Sequence, residues 1–190
     1  MCREVKKLTF FGASIAGNYV PLDNLSTVLG EIDDKLETTD EIDIFERFQA
    51  LIKDIADIFF RLDTKFETSR DFDVTILKTL DAVRIRLEDT LANLRKRSWI
   101  LLWDITTTRS NEYRLLIGMV EVTDDGWIYL FEGEFNLMYN SDTKTANVTV
   151  GIGYKKYISI TELYITDYAL KYEIAKKLFR SPITGVVEVE

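Results

Sequence analysis

The sequence predicts an α+β protein. Long amino-terminal helices, either a coiled-coil stalk or a helical hairpin, precede an antiparallel β-meander with one carboxy-terminal helix. Three observations carry this reading. No glycine or proline occurs in the 87 residues between Gly30 and Gly118, a stretch without the two strongest structural punctuators. Apolar residues recur there at spacings of three and four. From Trp99 onward the pattern changes to short runs rich in β-branched and aromatic residues, separated by turn signals. The chain divides accordingly into an arm over 1–21, a helical region over 22–98 and a sheet domain over 99–190 with its helix at 167–180.

The first helix carries the stripe Leu22, Leu25, Leu29, Ile32 and Leu36, with Pro21 suited to its start. Thr38, Thr39 and Asp40 interrupt that stripe, and Thr39 or Asp40 is a candidate cap for the next helix. The second stripe runs Phe45, Phe48, Ile52, Ile55, Phe59, Leu62 and Phe66. It then passes through Ser69 and Asp73 to Ile76, Leu80, Val83, Leu87, Thr90 and Leu94. One heptad register over so long a stretch is a coiled-coil pattern, and a helix from Asp40 to Arg97 would be about 85 Å long. The polar run from Glu67 to Asp73 offers the alternative of a hairpin with Ser69 as a second cap. Ile44, Leu51, Ile58 and Phe60 widen the apolar face, which suits a bundle or a higher oligomer. If the stalk forms, Ile52 with Ile55, and Leu80 with Val83, favour a trimer over a parallel dimer.

Strands are expected over 99–105, 113–122, 127–139 and 146–154, with a fifth at 157–165 and an edge strand at 185–189. Asp124-Asp125-Gly126 is a hairpin turn signal, Asn140-Ser141-Asp142 reads as a second turn, and Gly133 is a candidate bend. The closing helix has the stripe Leu170, Ile174 and Leu178 and stops at Ser181-Pro182.

Composition excludes several chemistries. The 190 residues include no histidine and one cysteine, so neither an imidazole base nor a disulfide framework or cysteine zinc site is available. A net charge of −8 opposes general nucleic-acid binding. The single glutamine, Gln49, with few Met and Cys, follows a thermophile trend. No stretch reaches the ~20 apolar residues of a membrane helix. Leu8 to Gly17 is too diluted by small residues to read as a secretory signal. The expected location is intracellular or within a particle.

Candidate chemistry is sparse. Trp127, Tyr129, Phe131, Phe135 and Tyr139 share one face of their strand, which is either a ligand-lining stripe or the core of the sheet. Glu132 and Glu134 share the opposite face, with Glu121 a candidate neighbour. Two carboxylates are the minimum for glycoside hydrolysis, although acidic residues on a sheet are ordinarily solvated. The acidic segment from Glu31 to Asp43 lacks the glycine of a calcium loop. No catalytic residue, metal site or cofactor is expected, and no family motif can be placed on these residues. The expected function is that of a non-enzymatic structural or interaction protein. It would oligomerise with itself through the heptad seam and join other proteins of a virion or another large assembly. The other expectation is a small-ligand or carboxylate-based enzymatic sheet domain with a helical dimerisation module.

Overall fold

The computed structural model describes residues 8–11, 19–62, 64–94, 99–123, 126–159 and 168–179. Strand β1 (Leu8–Phe11) and the two-residue β2 (Val20–Pro21) precede a 3-10 turn (Leu22–Asn24) and helix α1 (Leu25–Asp33). Helices α2 (Thr39–Phe60) and α3 (Ser69–Leu94) follow. Strands β3 (Trp99–Arg109), β4 (Glu112–Val122), β5 (Trp127–Asn140) and β6 (Thr145–Ser159) then lead to α4 (Tyr168–Leu178). The sheet is antiparallel in the order β1-β6-β5-β4-β3, and β2 shares the outer edge of β6 with β1. The meander and its closing helix are as expected. The start of the expected fifth strand belongs to β6, and residues 160–165, Asp124, Asp125 and the expected strand at 185–189 lie outside the described residues.

Period-two alternation assigns the two faces of the sheet. On one face Leu101, Leu115, Ile117, Met119, Phe131, Phe135, Val150 and Ile152 join the buried side chains of α1, α2 and α3 in one core. On the other, Ile100, Val120, Val122, Ile128, Leu130 and Tyr157 pack with Ile174, Ala175 and Leu178 of α4. The sheet is thus the middle of three layers.

The continuous stalk is corrected by this arrangement. α2 ends at Phe60 and α3 begins at Ser69. The reversal needs no glycine or proline because the β5–β6 turn holds it. The Phe66 N–H donates to the Lys144 carbonyl at 2.7 Å, and the Tyr139 hydroxyl donates to the Phe66 carbonyl at 2.7 Å. The Thr68 hydroxyl, rather than Ser69, accepts the Asp71 N–H at 3.1 Å and caps α3, which places the boundary where two helix starts compete. The acidic helix α2 and the more basic α3 are also joined through Asp54 and Arg86.

The twelve residues expected to form an oligomerisation seam occupy the interior of their own chain. Phe45, Phe48, Ile52, Ile55, Phe59, Leu62, Phe66, Ile76, Leu80, Val83, Leu87 and Leu94 are all buried in the core beneath the sheet. A helix on a sheet and a helix in a coiled coil require the same three-and-four spacing, so the pattern alone does not choose between them. The basis for a trimer falls with the seam.

Gly133 does not bend β5, which runs unbroken past it. A Cβ at this position would lie 2.7 Å from Ile52 Cδ1 and 3.4 Å from Phe48 Cζ, so the missing side chain lets α2 approach the sheet. Gly133→Ala is expected to destabilise the fold by about 1–3 kcal/mol through overpacking. Adding Ile52→Val removes the obstructing methyl. A double-mutant cycle on thermal unfolding should therefore show a loss smaller than the sum of the two single losses.

Candidate functional site

The aromatic stripe on β5 is core. Phe131 is fully buried, with ring centroids 5.3 Å from Phe45, 5.6 Å from Phe48 and 4.7 Å from Tyr154. Phe135 lies 5.1 Å from Phe59, and Tyr139 stacks on Phe72 at 5.4 Å. Tyr129 is buried, and Trp127 lies at the margin with the Lys156 ammonium 4.8 Å from its ring centroid. A groove of about 360 Å³ does open between Pro21–Leu22, Phe59–Phe60 and Ala146–Val148, but none of the five aromatic residues lines it.

Glu132 and Glu134 lie on the opposite face as expected, yet both are buried rather than solvated. Lys155 Nζ stands 3.7 Å from Glu132 Oε1, and Asn136 donates to Glu134 Oε2 at 3.1 Å. Glu121 does not join them. It pairs across the sheet with Tyr129 and Trp99 on the other face and accepts the Trp99 indole N–H. Among the described residues, no group of three or more His, Cys, Asp or Glu side chains could hold a metal ion. No helix there is long and apolar enough to cross a membrane.

Two polar groups went unnoticed in the sequence. The first centres on Glu41, an ionisable side chain only 2% exposed. Glu41 is the third residue of α2, and Thr38 accepts its N–H at 3.1 Å while donating its hydroxyl to Oε1 at 3.0 Å. Across the core, Tyr154 donates to Oε2 at 2.6 Å and Lys156 to Oε1 at 2.8 Å. Burial pushes the carboxyl pKa up, but the hydrogen bonds from Lys156, Tyr154 and Thr38 and the Lys156 charge outweigh it and hold the value below 4.5. Burial and the same bond to Glu41 push the Tyr154 phenol well above its ordinary value. All four groups satisfy one another, so the cluster ties the start of α2 to β6. The signal was local: Thr38-x-x-Glu41 ahead of an apolar run has the form of a capping box.

The second group lies on the end strand β3 and its neighbour β4. Asp104 and Thr106 project from the same face, Thr106 directly opposite Arg114, with Arg114 Nη2 3.9 Å from Asp104 Oδ2. Asp104 Oδ2, Thr106 Oγ1 and Arg114 Nε are buried and make no hydrogen bond among the described residues. Most buried polar atoms in folded proteins are hydrogen-bonded, to protein or to water. Only one hint was present in the sequence, a lone carboxylate inside the apolar run Trp99 to Ile105.

A third feature is apolar. Val74, Leu77 and Ile85 are 48%, 59% and 49% exposed. At 100° per residue they lie on the side of α3 away from Phe72, Ile76, Leu80, Val83 and Leu87. Asp81 and Glu88 lie among them on the same face, and Arg84 beside Leu77 bonds to both acids at 2.7 Å. Comparison with known proteins adds no kinship to this geometry: no family model, no curated protein and no solved structure matches the chain.

Proposed function

We propose that this protein is a non-enzymatic structural component that works by assembling with itself. The observation that supports it is the outward face of α3, where three large aliphatic side chains stand about half exposed. Burying such a side chain is worth about 1.5–3 kcal/mol, so a second helix laid on this face gains substantially. The charges interspersed on this face suit a second copy of the same helix. An antiparallel α3–α3 contact about a two-fold axis sets the face against its own copy, and Arg84 of one copy then faces Asp81 or Glu88 of the other. The contact is therefore between like surfaces, as in most homo-oligomers.

Light scattering over a concentration series tests this reading. The chain is expected to exceed its monomer mass of 22.0 kDa. Leu77→Lys and Ile85→Lys should each weaken association by about 10-fold or more without altering the circular dichroism spectrum. A chain that stays monomeric at every concentration would overturn the proposal.

A further inference from the structure

We infer that β3 is a second self-association edge, pairing antiparallel with β3 of another copy about a two-fold axis at Ile105. This deepens the self-assembly reading by naming a contact, separate from α3, through which copies extend the sheet. Among the described residues β3 is the end strand, hydrogen-bonded to β4 alone. Edges of this kind are commonly blunted by proline, by charged side chains or by a bulge. From Trp99 to Thr106 β3 contains no proline or lysine and a single charge, Asp104, and its register with β4 shifts only between Thr107 and Arg109. Trp103 and Ile105 remain only half-buried there.

The polar atoms of the edge select both the occupant and the register. A two-fold axis normal to the sheet keeps each face on its own side. Residues paired across it must then be both odd or both even, since successive side chains alternate faces. Centring the axis on Asp104 sets two carboxylates against each other, which is destabilising. Centring it on Trp103 sets Asp104 against Leu102, and centring it on Thr106 sets Asp104 against Thr108, which lies in the irregular stretch between Thr107 and Arg109. Centring it on Ile105 sets Asp104 opposite the second copy's Thr106, and Thr106 opposite its Asp104. Asp104 Oδ2 and Thr106 Oγ1, neither of which makes a hydrogen bond within the described residues, then supply acceptor and donor to each other twice. Asp104 is 23% exposed and Arg114 27%, which leaves the carboxylate room to turn from Arg114 toward the incoming hydroxyl. On the other face Ile105 meets Ile105, and Trp103 meets Thr107. With α3 supplying a second two-fold contact, copies would join alternately through β3 and α3 into an extended assembly.

Position 106 gives opposite outcomes for two substitutions. Thr106→Asp sets a carboxylate against Asp104 of the second copy and removes both hydroxyl donors. It should weaken the β3 contact by about 100-fold. Thr106→Lys sets an ammonium there and should preserve or tighten the contact. In a Cys2→Ser background, Ile105→Cys should form an interchain disulfide on oxidation, because the axis passes through that position. Masses are read by light scattering and folding by circular dichroism, with Leu77→Lys made in parallel to interrupt the α3 contact. Loss of one association step in Thr106→Asp but not in Thr106→Lys, with cross-linking at Ile105→Cys, is the expected result. Equal masses for the two Thr106 variants, with Leu77→Lys still dissociating the protein, would overturn the β3 contact and leave the self-assembly reading standing. A wild-type chain that is monomeric throughout would overturn both. In that monomer, exchange-protected β3 amides would show that the chain covers its own edge.

Discussion

Phe131→Ala is expected to destabilise the protein by about 3–5 kcal/mol, the loss typical of truncating a buried aromatic side chain. The ring meets Phe45, Phe48 and Tyr154 at once, so its removal leaves a cavity bounded by both helix and sheet. With total stability commonly about 5–15 kcal/mol, this is a large fraction from one substitution. The melting temperature should fall by about 6–20 °C for a chain of this size. Tyr129→Phe, in the same stripe, removes only a hydroxyl and should shift it far less. The pair separates a core from a ligand-lining face. In a pocket, Phe131→Ala would leave the melting temperature nearly unchanged, and calorimetry would show that outcome directly.

Glu41→Ala is expected to cost about 3–5 kcal/mol near neutral pH, because it strands the Lys156 ammonium and the Tyr154 hydroxyl beneath α2. The effect should depend on pH with a definite sign. The Glu41 carboxyl has a folded-state pKa below its ordinary value of 4.5. Its contribution is therefore fully present above 4.5 and is lost as pH falls through the depressed folded value. Urea unfolding at a series of pH values should show wild type losing stability across that acidic range. Glu41→Gln should show a shallower fall there, and its deficit against wild type should narrow as pH drops. Parallel curves for the two proteins would show that the carboxylate is not ionised in the buried cluster.

The sheet was legible because its signals are local. Alternation from Trp127 to Tyr139 fixed which side chains share a face, and the turn residues bounded the strands. Helix boundaries were legible for the same reason at Thr38 and Thr68, within a residue of the candidate caps. The destination of each apolar stripe was not. In α2, Ile44, Leu51 and Ala56 are buried with the seam residues, making a face broad enough to lie on a sheet. In α3 the buried stripe is narrow, and it alone resembles a two-position seam. The two halves of the heptad register thus have different widths, a distinction visible in the sequence only once the break between them is placed. Glu132 and Glu134 were misread as solvated because strand order and the position of α4 arise from contacts between distant residues. Asp104, Thr106 and Arg114 come together through strand pairing, which no local spacing encodes.

The central structural claim is that α2 and α3 fold back within one chain and cover the sheet. Pulsed dipolar electron resonance tests it directly, with spin labels on Asp54→Cys and Arg86→Cys in a Cys2→Ser background. The labelled chain should be diluted with unlabelled chain, so that only distances within one molecule are read. These exposed residues are partners across the hairpin, 32 positions apart in sequence, and losing a surface ion pair costs little. The hairpin predicts a short separation, set by helix axes about 8–10 Å apart and the two label arms. A continuous stalk would hold the labels about 48 Å apart at 1.5 Å per residue, and a distribution centred there would contradict the fold and every inference drawn from it.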